Sequence, residues 1–178
     1  MSDANGKETL ARLAATPGKY LSFGLGDEVY GLEILKVQEI IGLMRVTRVP
    51  GLPDVIRGVV NLRGKVIPVV DLRRKFSMEP KADTERTCII VVKIWRDGRA
   101  VVVGLIVDEV REVQAVAQEQ LEAVPRFSGD VETPFLLGIA KVAQRVVLLL
   151  DVDQILSSSE LWALPSGGAA QPRDQESR

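Results

Sequence analysis

Histidine is absent from the 178 residues of this chain. That removes the commonest general base, the usual imidazole metal ligand and every Ser-His or Cys-His dyad. Cysteine occurs once, as Cys88, so an intramolecular disulfide and a thiolate metal cage are both excluded. Aromatic residues amount to 4%, and Trp95, Phe127 and Trp162 are too scattered to form a base-stacking platform. Long apolar runs are missing as well: Val146 to Leu150 spans five residues, far short of the roughly 20 that a helix needs to cross a bilayer. Met1 to Tyr20 has no apolar stretch of the signal-peptide kind, so a cytoplasmic protein without direct membrane insertion is expected. Net charge is −1, which supplies no global attraction to nucleic acid or to a membrane surface.

What is present is β-branched and apolar. The chain is 46% hydrophobic and 26% charged, ordinary globular proportions, and Val and Ile supply 36 residues, a bias that favours strands. Charge is laid out unevenly. Arg45 to Lys75 holds eight Lys/Arg against two acids, and Asp108 to Glu132 holds seven acids against two arginines, opposed patches that suit protein partners. Tyr20 to Leu25 and Val29 to Ile34 flank Gly26-Asp27-Glu28 as a hairpin, and Ile89 to Trp95 and Ala100 to Val107 flank Asp97-Gly98 as another. Short helical turns are predicted at Leu72 to Phe76 and Gln118 to Ala123. A C-terminal helix is predicted over 152–164, capped by Asp151 or Asp153. Residues 1–18 read as a flexible arm, and 165–178, with nothing to bury, as a disordered tail.

The chain repeats itself. Gly31 to Ile40 aligns with Gly104 to Val113 at a constant offset of 73, and Gly58 to Leu72 aligns with Gly138 to Val152 at a constant offset of 80. The difference of seven places a longer middle loop in the second copy, around Ala117 to Pro134. Two similar β lobes of roughly 65 residues follow, each marginal alone and therefore expected to pack on the other across an apolar seam. They are assigned about 19–86 and 87–150. Small curved sheets of about five short strands close most readily into barrels.

Differences between the copies mark candidate functional positions. The hairpin tip Asn61-Leu62-Arg63-Gly64-Lys65 corresponds to Lys141-Val142-Ala143-Gln144-Arg145. Gly64 suits a tight turn, but no turn asks for the guanidinium of Arg63. In Val37-Gln38-Glu39-Ile40, strand alternation places the Glu39 carboxylate on the face of Val37. An exposed Glu39–Arg63 pair adds at most about 1 kcal/mol to stability, so its value would lie in recognition. The Gly58-to-Val66 run looks like a phosphate loop, but its second glycine falls one place late, no Ser/Thr follows the lysine and a strand rather than a helix follows it. Gly24-Leu25-Gly26 fails the dinucleotide spacing. Asp108-Glu109 and Asp151/Asp153 lack a base, nucleophile or metal set, and Cys88 reads as a core residue. Neither a catalytic residue nor a metal or cofactor is expected.

Tyr30 to Ile40, then Val49-Pro50-Gly51-Leu52-Pro53, then Ile56-Arg57-Gly58-Val59-Val60-Asn61-Leu62-Arg63-Gly64-Lys65-Val66-Ile67-Pro68-Val69-Val70-Asp71-Leu72-Arg73 closely resemble the CheW family of bacterial chemotaxis coupling proteins. Gly104 to Val110 and Phe135 to Gly138 continue the match, which spans roughly Tyr20 to Leu164. The resemblance implies a mainly β fold of two five-stranded, SH3-like barrels. It implies a non-enzymatic cytoplasmic adaptor joining the tips of methyl-accepting chemoreceptors to the regulatory domain of the histidine autokinase CheA. By motif, Val37, Glu39, Gly58 and Arg63 fall at receptor-contact positions. Ile34 falls near the kinase contact of the first lobe, and Phe127 at a kinase contact of the second. Two alternatives stay open: the same adaptor in a non-flagellar chemosensory pathway, and a small β-barrel that binds nucleic acid through the basic stretch Arg45 to Lys75.

Overall fold

A computed structural model describes residues 15–125 and 133–164. Phe127, with the rest of 126–132 in the longer loop, lies outside the described residues, as do 1–14 of the expected arm and the tail 165–178. The strands are β1 (Gly18–Leu25), β2 (Glu28–Glu33), β3 (Val37–Gly42), β4 (Ile56–Leu62), β5 (Lys65–Asp71), β6 (Cys88–Arg96), β7 (Arg99–Val107), β8 (Glu109–Val116), β9 (Leu121–Glu122), β10 (Leu136–Val142) and β11 (Arg145–Leu150). Two short helices, α1 (Leu72–Lys75) and α2 (Ser158–Trp162), and 3-10 turns at Ile34–Lys36, Gln118–Gln120 and Val152–Gln154 complete the described elements.

The fold is mainly β, with two sheets curled like half-barrels. One runs β8-β1-β2-β11-β10-β9 and the other β3-β6-β7-β5-β4. This corrects the expected lobe boundaries. The sheets do not follow the sequence halves: the β1–β2 hairpin joins strands of the second half, and the β6–β7 hairpin joins strands of the first. The exchange is symmetrical. β3 pairs antiparallel with β6 as β8 does with β1, and β5 lies parallel to β7 as β11 does to β2. Even the apparent sixth strand has a counterpart. Glu122 of β9 pairs with Ile139, and Thr47 bridges Val59, the position 80 residues earlier. Each lobe therefore takes a hairpin from the opposite half, which welds two marginal units into one.

The main apolar cluster lies between the sheets and draws on both, with Phe23, Leu32, Ile90, Ile94 and Leu105 among its buried members. Smaller clusters fill the other face of each sheet, around Val29, Ala140 and Leu149 in one and Val69, Ile89 and Val91 in the other. Four of the eight aromatics stack in a column, Phe23–Tyr30–Phe76–Phe135, with ring centroids 5.9, 5.5 and 5.0 Å apart. Asp97 and Gly98 both take positive φ, 52° and 74°, as a two-residue hairpin turn requires.

Two further expectations need correction. Ala15, assigned to the arm, is buried, and its N–H donates to Leu137 O at 3.1 Å, while Gly18 opens β1. The C-terminal helix is not continuous. Asp151 caps only the turn Val152–Gln154, and Ser157 starts a new helix through a capping box with Glu160. The break lets Ile155 and Leu156 enter the central cluster and Leu161 and Leu164 follow from the next element. Arg99 fastens this segment by donating to Leu161 O at 2.9 Å and Leu164 O at 2.7 Å, and Arg96 donates to Asp153 O at 3.1 Å.

Candidate partner-binding site

Arg63 and Gly64 form the two-residue turn between β4 and β5, at φ 52° and 88°. Left-handed backbone at both positions matches the twist of the hairpin, and the Asn61 side chain steadies it by accepting from Gly64 N–H at 2.8 Å. The turn aims the Arg63 guanidinium back at β3, where it pairs with Glu39 Oε1. Glu39 is one-third exposed and Arg63 68% exposed, so one N–H of the fork is committed and most of the group faces solvent. The counterpart turn, Ala143 and Gln144, has the same backbone (φ 49° and 65°) with no charge to project. Glu112, the counterpart of Glu39, accepts instead from its neighbour Gln114 at 3.0 Å.

Val37 does not share a face with Glu39. A bulge interrupts β3: Val37 pairs with Val92, yet Glu39 pairs with Val91, leaving Gln38 unmatched. The extra residue reverses the alternation. Val37 therefore packs on the central cluster, while Glu39 follows Val91 toward the cluster of its own sheet, beside Ile41. Strict alternation predicts the opposite because it cannot register a single inserted residue. β8 has the matching irregularity, where the buried Ser22 hydroxyl donates to Glu112 O and accepts from Glu112 N–H.

Gly58 is buried and offers no side chain to a partner. A Cβ there would lie 2.3 Å from Thr47 O and 2.8 Å from Val46 Cγ1, so glycine is what lets residues 46–47 cross β4 closely enough to form the Thr47–Val59 bridge. Its part is to hold the strand that carries the Arg63 turn. Ile34 begins the 3-10 turn leading directly into β3, beside a groove of about 480 Å³ lined by Pro17, Lys19, Tyr20, Ile34 and Leu35. Leu35, 95% exposed, was missed in the sequence. Its signal was available, for its counterpart in the repeat is Asp108, a position where the fold requires nothing apolar.

The basic stretch is largely spent within the molecule. Of its eight cations, Arg57 and Arg74 pair with Asp71, Arg57 also with Asp83, Arg63 with Glu39, Arg73 with Asp108 and Lys75 with Glu160. Among the described residues only Arg45, Arg48 and Lys65 are left outside these pairs, too few for the cationic track that a nucleic-acid backbone needs. Asp108 is held by both Arg73 and the Gly26 N–H. Burial alone would raise its pKa, but hydrogen bonds from Arg73 and Gly26 N–H and the Arg73 charge together hold the carboxyl below its usual value. The same pair raises Arg73, through the Asp108 hydrogen bonds first. The run resembling a phosphate loop is strand, turn and strand, with no helix end to face an anion.

The arrangement offers two candidate surfaces, an ion pair at a hairpin tip and an apolar groove at the entry to β3. Among the described residues no group of His, Cys, Asp and Glu could hold a metal ion, and no helix is long and apolar enough to cross a membrane. A family model described as CheW-like domain matches residues 19–160. Chemotaxis protein CheW of Klebsiella aerogenes is 40% identical over 158 residues, covering 88% of this chain and 93% of the relative. Chemotaxis protein CheW of Bacillus subtilis is 32% identical, covering 79% and 88%. The crystal structure of the scaffolding protein TtCheW from Thermoanaerobacter tengcongensis superposes with a TM-score of 0.71 at 33% identity, over 82% of this chain and 96% of that one.

Proposed function

The chain belongs to the CheW-like family, and from that premise we propose that it is a non-enzymatic adaptor coupling chemoreceptors to the histidine autokinase CheA. The observation that carries this reading is the asymmetry of the two hairpin tips. One fold is used twice, and only the first copy places an exposed guanidinium on a left-handed turn and closes it on a carboxylate. The receptor tip meets the face carrying Glu39 and Arg63, which Gly58 and Val37 support from beneath. The kinase's regulatory domain meets the Ile34–Leu35 groove, with Phe127 of the longer loop as its second contact. The protein acts in the cytoplasm, held to membrane receptor arrays through these partners. Coupling of this kind is linkage: the adaptor transmits receptor state to the extent that its affinity for one partner depends on the state of the other.

The test is sedimentation velocity of the full chain with the regulatory domain of its genome's chemotaxis kinase. A faster complex persisting at low micromolar concentration is expected. Absence of a complex with a correctly folded kinase domain contradicts the reading.

A further inference from the structure

Two crossovers carry the chain between the sheets, and a carboxylate fastens each. At the first, the turn Ile34–Lys36 joins β2 to β3. Lys36 Nζ lies 3.2 Å from Asp153 Oδ2, and Asp153 Oδ1 accepts at 2.9 Å from the Trp95 N–H near the tip of the β6–β7 hairpin. At the second, Asp108 stands between β7 and β8. It accepts at 2.7 Å from the Gly26 N–H at the tip of the β1–β2 hairpin and pairs with Arg73. The repeat makes these one place seen twice: Asp153 is the counterpart of Arg73, and Lys36 of Glu109, next to Asp108. A clasp of opposite polarity thus recurs at the second crossover one residue out of register, since Asp108 is the counterpart of Leu35 and Glu109 pairs with Arg86 and Arg111.

The clasps are unequal. Arg73 holds Asp108 with two bonds, Nε to Oδ1 at 2.9 Å and the terminal nitrogen to Oδ2 at 2.6 Å, at 13% and 21% exposure. Lys36 makes one point contact with Asp153, at 33% and 24% exposure. A bidentate pair is the stronger and better oriented, so the Lys36–Asp153 clasp is the one that opens more readily. Lys36 also directly precedes β3, and Val37 N–H bonds back to Ile34 O, so the turn and the start of β3 move together. Asp153 is held from its own side by the Trp95 amide and by Arg96 on its carbonyl.

We propose that the Lys36–Asp153 clasp is the coupling element of the molecule: an occupant of the Ile34–Leu35 groove biases whether the clasp is closed, and the closed clasp sets how β3 presents Glu39 to Arg63. The proposal rests on the adaptor reading and assigns Lys36 and Asp153 as positioning residues. A two-state contact that both sites bias is the physical requirement for such coupling.

The experiment measures the affinity of a receptor-tip fragment for the full chain, with and without saturating kinase regulatory domain, in the unaltered chain and in Asp153→Asn, Lys36→Met and the double variant. Asn keeps the oxygen that accepts from Trp95 and removes only the charge. In the unaltered chain the kinase domain is expected to shift receptor affinity about fivefold or more. In each single variant the shift falls to within about twofold of unity, because receptor affinity without the kinase domain already takes the value the unaltered chain reaches with it, and the double variant is no worse than either single. Lys36→Arg restores the shift. A shift that survives Asp153→Asn overturns the proposal, and so does its absence from an unaltered chain that binds both partners, which leaves the adaptor reading standing. Failure of the unaltered, folded chain to bind either partner overturns both.

Discussion

The Arg63–Gly64 and Ala143–Gln144 turns occupy the same place in two lobes built on one plan, share left-handed backbone at both positions and differ in what they project. In the first lobe the tip carries a guanidinium and the edge strand answers with Glu39; in the second the tip is neutral and Glu112 bonds to its neighbour. The features common to both copies, namely the exchanged hairpins, the bulged edge strand and the strand that bridges the fourth position, are the ones the fold needs. The side chains that differ are free of that duty, and the first tip is where the chain uses the freedom. The lobes also solve shared problems by different means. The β8 bulge is stitched by Ser22, while the β3 bulge has the apolar Val91 opposite it. The crossover clasps are of opposite polarity and one residue out of register.

The comparison can be broken most severely at Gly58. Its substitution by valine drives a side chain into the Thr47 carbonyl, and a loss of about 3 kcal/mol is expected from overpacking against backbone that cannot yield. Urea denaturation measures it, and an unchanged midpoint would remove the positioning role assigned to this glycine. Acid tests the clasps next. Asp108 is held below its unfolded pKa, so the stability it contributes is fully present above the unfolded carboxylate value and is lost as pH falls through the lower folded value. Thermal unfolding between pH 6 and pH 2 should show a steep decline that Asp108→Asn flattens, at the cost of lower stability at neutral pH. A smaller and opposite effect is expected at the second tip. Gln144 sits at φ 65°, where a side chain is disfavoured, and Gln144→Gly should raise stability by about 0.5–1 kcal/mol in the same denaturation assay.

Much of this architecture is legible in the residues. The two gapless repeat blocks announce two equivalent lobes, Asp97-Gly98 announces its hairpin, and Arg63 stands out because its counterpart is alanine. The exchange of hairpins is not legible, since an internal alignment says which strands are equivalent and leaves open which copy each strand pairs with. The bulge at Gln38 escapes because period-two reasoning has no place for one extra residue, and it moves Glu39 to the opposite face from Val37. The broken C-terminal helix escapes for a related reason. The Asp151 cap reads as the start of one helix over 152–164 until Ser157 is seen to cap a second. Leu35 could have been found by asking of the apolar residues what the repeat comparison asked of Arg63.

The most direct measurement compares the two tips. Receptor-tip fragment is titrated into the unaltered chain, Arg63→Ala and the second-lobe control Arg145→Ala, with thermal unfolding of each recorded alongside. The exposed Glu39–Arg63 pair contributes at most about 1 kcal/mol to stability, so Arg63→Ala should unfold close to the unaltered chain. The account predicts at least about a tenfold loss of receptor affinity for Arg63→Ala and little change for Arg145→Ala. Equal losses at the two tips, or a loss at Arg63 matched by a large fall in unfolding temperature, would contradict it.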